Sequence, residues 1–192
     1  MTKSEAFDKL RWLQRAIETY EPRLVQFAAR ILGDADRARD VVQDAFLRLA
    51  GESPESLDGH LAQWLYTVCR RRAIDVRRKE NRMHSLSMNC WAESCEPSTR
   101  DADVLQQQEE TSRVLAALAQ LPWKQQEAVR LKFQHGLNYR EIAGVMETSV
   151  NHVGVLLHTA LRSIRKKLAE QEQHSGQRDE CHVRGAHASR QV

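Results

Sequence analysis

The sequence predicts an all-α protein: two small helical domains joined by a flexible acidic linker, the C-terminal one a four-helix unit with a helix-turn-helix. Three observations lead there. Apolar residues recur at helical spacing in nearly every segment before residue 83, and no segment sustains the alternation of a strand. Residues 83–110 then turn polar, rich in Ser, Asn and Glu, with six acids against Arg100 for a net charge of about −5. Helical spacing resumes afterwards and ends in Asn138–Leu168, which reads as two helices joined by a short turn. The expected divisions are 4–82, 83–110, 111–168 and a polar, irregular tail at 169–192.

Ser4–Thr19 forms a first amphipathic helix with Phe7, Leu10, Leu13 and Ile17 as its apolar positions. Pro22 is placed to start a second helix, with Leu24, Phe27, Ala28 and Ile31 inward, and Gly33 to end it. Asp34 caps the next, whose inner stripe is Ala38, Val42, Ala45, Phe46 and Leu49. Its outer face sets Asp36, Asp40, Gln43 and Asp44 around Leu47. Acids in a first turn suit the helix dipole, which accounts for Asp36. A leucine ringed by acids two turns later suits docking of a basic, partly apolar protein helix.

The polar loop Gly51–Gly59 leads into one long helix, His60–Arg82, with Leu61, Trp64, Leu65 and Val68 in its apolar half. The other half is basic: from Arg70 to Arg82, seven cations face Asp75 and Glu80, a net of about +5. Arg71 and Asp75 are four apart and can pair, whereas Arg70, Arg72, Arg77, Arg78, Lys79 and Arg82 have too few acids nearby to be neutralised. Trp64 and Tyr66 lie just upstream. Cations for a backbone and aromatic rings for unstacked bases are what strand-separated DNA requires. A solvated basic face beside a core tryptophan has the same composition.

Val104–Gln120 is helical through Val104, Leu105, Val114, Leu115 and Leu118, and Pro122 starts Trp123–Gln134, with Val129, Leu131 and Phe133 available to a core. Gly136 provides the turn into the helix-turn-helix. Asn138 caps its first helix, with Glu141 completing a capping-box pair and Ile142, Ala143 and Met146 apolar. After the turn Glu147–Thr148, Ser149 caps the second helix. At roughly 100° per residue, Val153, Leu157, Ala160, Leu161, Ile164 and Leu168 share one stripe, and Asn151, Val155, His158, Thr159, Arg162 and Lys166 lie opposite. Asn and Arg can read base edges, Val can meet a thymine methyl, and the terminal cations can hold phosphates. An ordinary amphipathic helix has the same periodicity, so the rest of the chain must decide.

Composition excludes several classes. With 29% charged and 41% hydrophobic residues, the chain has a soluble globular composition, and its net charge of +3 leaves the local charge runs to carry the argument. No apolar run approaches a membrane span and no signal peptide opens the chain, so the cytoplasm is the expected location. Cys69 reads as a small core residue; Cys90 and Cys95 lack paired metal spacing, and His174, Cys181, His182 and His187 fit no ligand pattern. Without a nucleophile elbow, P-loop or zinc-protease motif, neither an enzyme nor a cofactor is expected.

Taken together, the parts resemble the bacterial RNA polymerase sigma factors of the extracytoplasmic-function (ECF) group, from about residue 5 to residue 168. The matching strings are YEPRLVQFAARILGD, DADRARDVVQDAFLRLA, WLYTVCRRRAIDVRR and ALAQLPWKQQEAVRLKFQHGLNYREIAGVM with the helix after it, in the family's order. The resemblance implies a non-catalytic initiation subunit whose partners are core RNA polymerase and promoter DNA, with an anti-sigma factor as a further partner. It implies contact with the polymerase β′ clamp helices through Asp40, Gln43, Asp44 and Leu47. It implies −10 element binding through Trp64, Arg70, Arg71, Asp75, Arg77 and Arg78. The −35 element would meet Ser149, Asn151, His152, Val155, His158, Thr159, Arg162 and Lys166, and the linker would thread the polymerase channel.

Three departures from the family pattern stand out. Glu147 occupies a turn position where Gly is common, and any L-residue costs more than Gly in a left-handed conformation. Gly154, Val155 and Leu156 replace the usual Lys-Ser-Arg-like string, so a −35 preference does not carry over. Arg71 stands where Asn is common, which leaves the −10 preference open. A stand-alone helix-turn-helix regulator would account for residues 111–168 but not for the acidic docking helix or the arginine-rich one.

Overall fold

Helices account for the secondary structure of this computed structural model, which describes residues 3–83 and 105–187; no strand occurs among the described residues. They are α1 (Lys3–Leu32), α2 (Ala35–Gly51), α3 (Leu61–Met83), α4 (Leu105–Ala119), α5 (Trp123–Phe133), α6 (Tyr139–Met146) and α7 (Val150–His187), with a 3₁₀ turn at Pro54–Leu57. The expected linker falls largely on residues 84–104, outside the described ones, as do Cys90 and Cys95. Contacts divide the chain into two compact units, Met1–Pro97 with Leu131–Val153, and Ser98–Arg130 with Gly154–Val192.

In the first unit, α1 corrects the sequence reading. Pro22 does not start a second helix but sits inside a single one. Ala16, Leu24, Phe27 and Ile31 are buried, and their spacing stays in helical phase across the proline. Pro22 itself is exposed, where the carbonyl it leaves without an N–H partner can turn to water. Burying one continuous stripe outweighs a lost hydrogen bond. The same helix overturns part of the expected core: Phe7 is 69% exposed, and Leu10 and Ile17 are exposed as well. Gly33 ends α1 in the left-handed region at φ 73°, its N–H donating to Ala29 O at 2.7 Å.

Asp34 then caps α2, its carboxylate accepting from the backbone N–H groups of Asp36 at 2.8 Å and Arg37 at 3.1 Å. Ala38, Val41, Val42, Ala45 and Leu49 are buried on its inner face. On α3, Leu65, Tyr66, Cys69 and Ala73 are buried, and α1, α2 and α3 pack on one another. Burial pushes the Cys69 thiol up to about 12, so it stays a neutral, inert core side chain. Leu131, Leu137, Ile142, Ala143, Val145, Met146 and Val153 are buried too, and α6 packs on α3.

The second unit buries Ala117, Leu118, Leu121, Ala128 and Val129, with Leu156, Leu157, Ala160 and Ile164 of α7. The Gln126 amide donates to Ala119 O and Leu121 O, both at 2.8 Å, and so closes the end of α4. Helix α7 runs past Leu168 to His187, where the sequence reading expected an irregular tail. Ala169–Gln173 consists of Ala, Glu and Gln, strong helix formers that extend a helix already nucleated, without an apolar stripe.

Leu24→Ala removes a fully buried side chain and is expected to lower unfolding stability by about 2–5 kcal/mol, whereas Phe7→Ala should shift it by less than about 0.5 kcal/mol; urea denaturation of the full chain checks both. The Asp34 carboxyl is held below its ordinary value, first by the Arg37 backbone N–H. Its contribution is therefore complete above the ordinary carboxylate range and is lost as pH falls through the lowered value. Asp34→Ala should lower the urea midpoint at pH 7, and the gap to wild type should close in acid.

Candidate nucleic-acid and docking interfaces

The acidic face of α2 begins with Asp36, which pairs with Arg39, so this acid is engaged locally. Asp40, Gln43 and Leu47 are exposed, Leu47 to 66%. Asp44 differs from them: it is half-buried, and its Oδ2 accepts from Arg72 Nε at 2.8 Å. Arg72 therefore has a nearby acid after all, one on another helix and 28 residues away. A second α2–α3 bridge, Arg37 Nη1 to Glu80 Oε1 at 2.6 Å, was equally invisible to local spacing. A shallow groove of about 290 Å³ lies beside this face, lined by Ile17, Glu21, Arg39, Val42, Gln43 and Phe46.

The basic half of α3 divides by what its cations touch. Arg71 does not pair with Asp75; its Nε donates to Glu147 Oε1 at 2.7 Å, across 76 residues of sequence. Arg77 approaches Ile31 O at 3.5 Å, a weak contact, and is half-buried, as is Arg70. Asp75, Arg78 and Lys79 are exposed. Trp64 is half-buried and keeps part of its ring accessible. Tyr66 does not: it is 1% exposed, its hydroxyl 2.8 Å from His135 Nδ1 and its ring 5.2 Å edge-on from that of Phe27. Its proposed use for unstacked bases is thereby corrected to a core role.

The helix-turn-helix segment has the capping expected of it. Asn138 Oδ1 accepts from the N–H groups of Arg140 and Glu141, and the Glu141 carboxylate accepts the Asn138 N–H at 2.6 Å. Glu147 ends α6 at φ 53°, ψ 50°, the left-handed conformation that favours glycine. Ser149 Oγ accepts from His152 N–H at 3.2 Å at the start of α7. Along α7, Val153, Leu157, Ala160 and Ile164 are buried, while Asn151, His152, Val155, His158, Thr159, Arg162 and Lys166 are exposed. Ser149 is exposed too, and Val155 at 60% is an apolar side chain in a polar row. Leu156, part of the unusual apolar string, turns inward. Phe133, expected in the core, is 62% exposed, near the end of α5.

Two sequence profiles match: Sigma-70 region 2 over residues 16–83 and Sigma-70, region 4 over residues 111–164. The ECF RNA polymerase sigma factor SigL of Mycobacterium tuberculosis is 31% identical over 151 residues, spanning 77% of this chain and 83% of that protein. The chain belongs to the ECF sigma factors. Another relative, ECF sigma factor SigX of Bacillus subtilis, is 25% identical over 162 residues, covering 81% of this chain and 82% of SigX. Among solved structures, the sigma factor RpoE bound to the anti-sigma factor NepR, from Bartonella quintana, has the same fold. Its TM-score is 0.63 at 22% identity, over 81% of this ECF sigma factor and 96% of RpoE. CnrH in complex with the cytosolic domain of CnrY gives 0.53 at 21% identity, over 84% and 90% of the two chains. No helix of the described residues is long and apolar enough to cross a membrane, and no group of metal-ligating side chains gathers among them.

The Arg71 side chain holds the Glu147 carboxyl below its ordinary value, by hydrogen bond first and charge second. A lowered acid favours the contact above the ordinary carboxylate range, and the contact is lost as pH falls through the lowered value. A carbon-13 titration should show Glu147 below the ordinary value of about 4.3 in wild type and shifted upward in Arg71→Gln.

Proposed function

We propose that this ECF sigma factor brings core RNA polymerase to specific promoters in the cytoplasm and assists their melting, without chemistry of its own. The observation that carries the reading is the joint presence of both sigma regions with an exposed, mixed polar face on α7. Asp40, Gln43 and Leu47, with Asp44 beside them, form the docking face for the polymerase β′ clamp helices. Trp64, Arg70, Arg71, Asp75, Arg77 and Arg78 engage the −10 element, with Arg71 and Arg78 exposed enough to reach phosphates. Asn151 and Arg162 supply base-edge and phosphate contacts at the −35 element, Val155 an apolar contact to a thymine methyl, and Lys166 a phosphate contact. Ser149, His152, His158 and Thr159 complete that face.

Residues 4–82 and 111–168 act as the two promoter-binding modules, and core polymerase holds them at the separation a promoter demands. Two weak sites then bind as one, without any new contact. An anti-sigma factor is a further partner; RpoE, which shares the fold, was solved with one. A stand-alone helix-turn-helix regulator is disfavoured, because it leaves the region 2 match without a purpose.

Promoter-directed transcription with core polymerase tests the reading. Asp40→Arg/Leu47→Ala is the informative docking variant, since Asp44 also holds Arg72 and its loss would disturb the α2–α3 packing. The expected outcome is discrete start sites with wild type and at least a tenfold loss of core binding and initiation with the variant. If wild type binds duplex sites without engaging core polymerase, the regulator reading replaces this one. Asn151→Ala should relax base preference at one −35 position, at about 1–3 kcal/mol of discrimination, whereas Lys166→Ala should weaken all promoters alike; initiation on a randomised −35 library separates the two.

A further inference from the structure

Part of the apolar surface of α1 is not used by the core of the first unit. Phe7, Leu10, Gln14, Ile17 and Glu21 follow one another at alternating steps of three and four residues, the spacing of a helix–helix seam. All five are exposed, and their row runs to one side of the stripe of Ala16, Leu24 and Phe27 that α1 buries. Leu13 is half-buried between the two. At the far end of the row Ile17 opens into the shallow groove over α2, which Val42 and Phe46 also line, together with one acid, Glu21, and one base, Arg39. An exposed seam that ends in an apolar groove has the shape of half an interface.

Charge along the same helix indicates what fits there. Asp8, Lys9, Arg11 and Arg15 leave the first half of the row net positive, whereas Glu18 and Glu21 make its second half negative. Two such helices match in charge when they run antiparallel, first half against second half, and clash when they run parallel. An antiparallel alignment with Phe7 level with Ile17 of the second copy sets Leu10 beside Gln14 and brings each Phe7 ring to the other copy's groove. Side chains on a helix lean toward its N-terminus, so in this alignment Arg11 leans toward Glu18 of the second copy, while the two Arg11 side chains lean apart. Their local partners compete weakly: Arg11 approaches Asp8 only to 3.8 Å with both well exposed, and Glu18 accepts from the neutral Gln14 amide at 3.0 Å.

We propose that the exposed row of α1 is a self-association surface: two copies of this chain pair antiparallel through Phe7, Leu10 and Ile17, each seating Phe7 in the other's groove between α1 and α2. The same surface serves both chains, so the arrangement closes at a two-fold dimer. The contact is small, which makes the dimer weak and reversible. Gln43 lines the groove and belongs to the face proposed above for polymerase, so the dimer and the polymerase complex exclude each other. That consequence rests on the sigma reading; the dimer itself does not.

Sedimentation equilibrium of the full chain at micromolar concentrations should show reversible exchange between monomer and dimer. Phe7→Gln/Leu10→Gln should weaken the dimer by about tenfold or more. Its melting temperature should not change, because both positions are exposed and glutamine keeps helix propensity. Arg11→Glu and Glu18→Arg should each weaken self-association by about three- to tenfold. An equimolar mixture of these two variants should restore it, since each altered charge then meets its opposite. A wild type that stays monomeric, a glutamine variant that dimerises like wild type, or a mixture no tighter than its components overturns the proposal. Excess core polymerase should convert the dimer to one-to-one complexes, and a complex holding two copies of the chain overturns the shared groove. If polymerase fails to bind even the monomeric glutamine variant while sedimentation follows expectation, the dimer stands and the sigma reading fails.

Discussion

A buried phenol must keep its proton and find a hydrogen-bond partner, and much of the first unit is arranged around how Tyr66 does so. At 1% exposure its hydroxyl has no access to bulk water, and burial pushes its ionisation well above the ordinary range. The protonated hydroxyl can donate to His135 Nδ1 at 2.8 Å. That partner comes from a segment 69 residues along the chain, so satisfying one polar atom commits the stretch around Leu131–Leu137 to α3. Phe27 of α1 closes the cluster with edge-on contacts to both rings. One hydrogen bond and two ring contacts thus tie α1, α3 and the His135 segment together within this unit.

Charge on α3 is divided between holding the fold and reaching out of it. Arg72 is tied to Asp44 and Glu80 to Arg37, both onto α2. These bridges are partly exposed and each contributes modestly; they agree with the rotation of α3 that its buried face of Leu65, Tyr66, Cys69 and Ala73 sets. With that rotation set, Arg71, Arg78 and Lys79 project outward while Leu65, Cys69 and Ala73 stay inside. The acidic face of α2 is shaped by the same arrangement: Asp44 turns toward Arg72, which leaves Asp40 and Leu47 as the outward pair.

The legible parts of the sequence were those where local physics decides. Caps at Asp34, Asn138 and Ser149, the glycine at the end of α1 and the two-sided pattern of α7 all follow from residues within four positions of one another. What the sequence concealed is long-range. Pro22 looked like a helix start because its local cost is visible while the in-phase burial of Ala16, Leu24 and Phe27 is not. Phe7 and Phe133 looked like core residues because periodicity shows which residues share a face, not whether a partner covers it. Arg72 looked unpaired, and Tyr66 available to bases, because Asp44 and His135 are remote in sequence. The acidic face of α2 and the α7 row were legible as faces; how far each residue is already committed to the fold was not.

Glu147 shows how one position carries both kinds of information. A left-handed backbone with an L-side chain is unfavourable, and at φ 53° Glu147 lets the turn close α6, with Thr148 N–H donating to Ala143 O at 2.9 Å. Glycine would remove the strain, so a purely structural turn gains nothing from glutamate. The carboxylate, however, reaches Arg71, and that hydrogen bond holds its carboxyl below the ordinary value. The chain therefore keeps a costly backbone residue whose side chain has one visible engagement, with Arg71 of α3. Strain retained where a simpler residue would serve points to the contact the side chain makes, and here that contact lies on α3 and not in the turn.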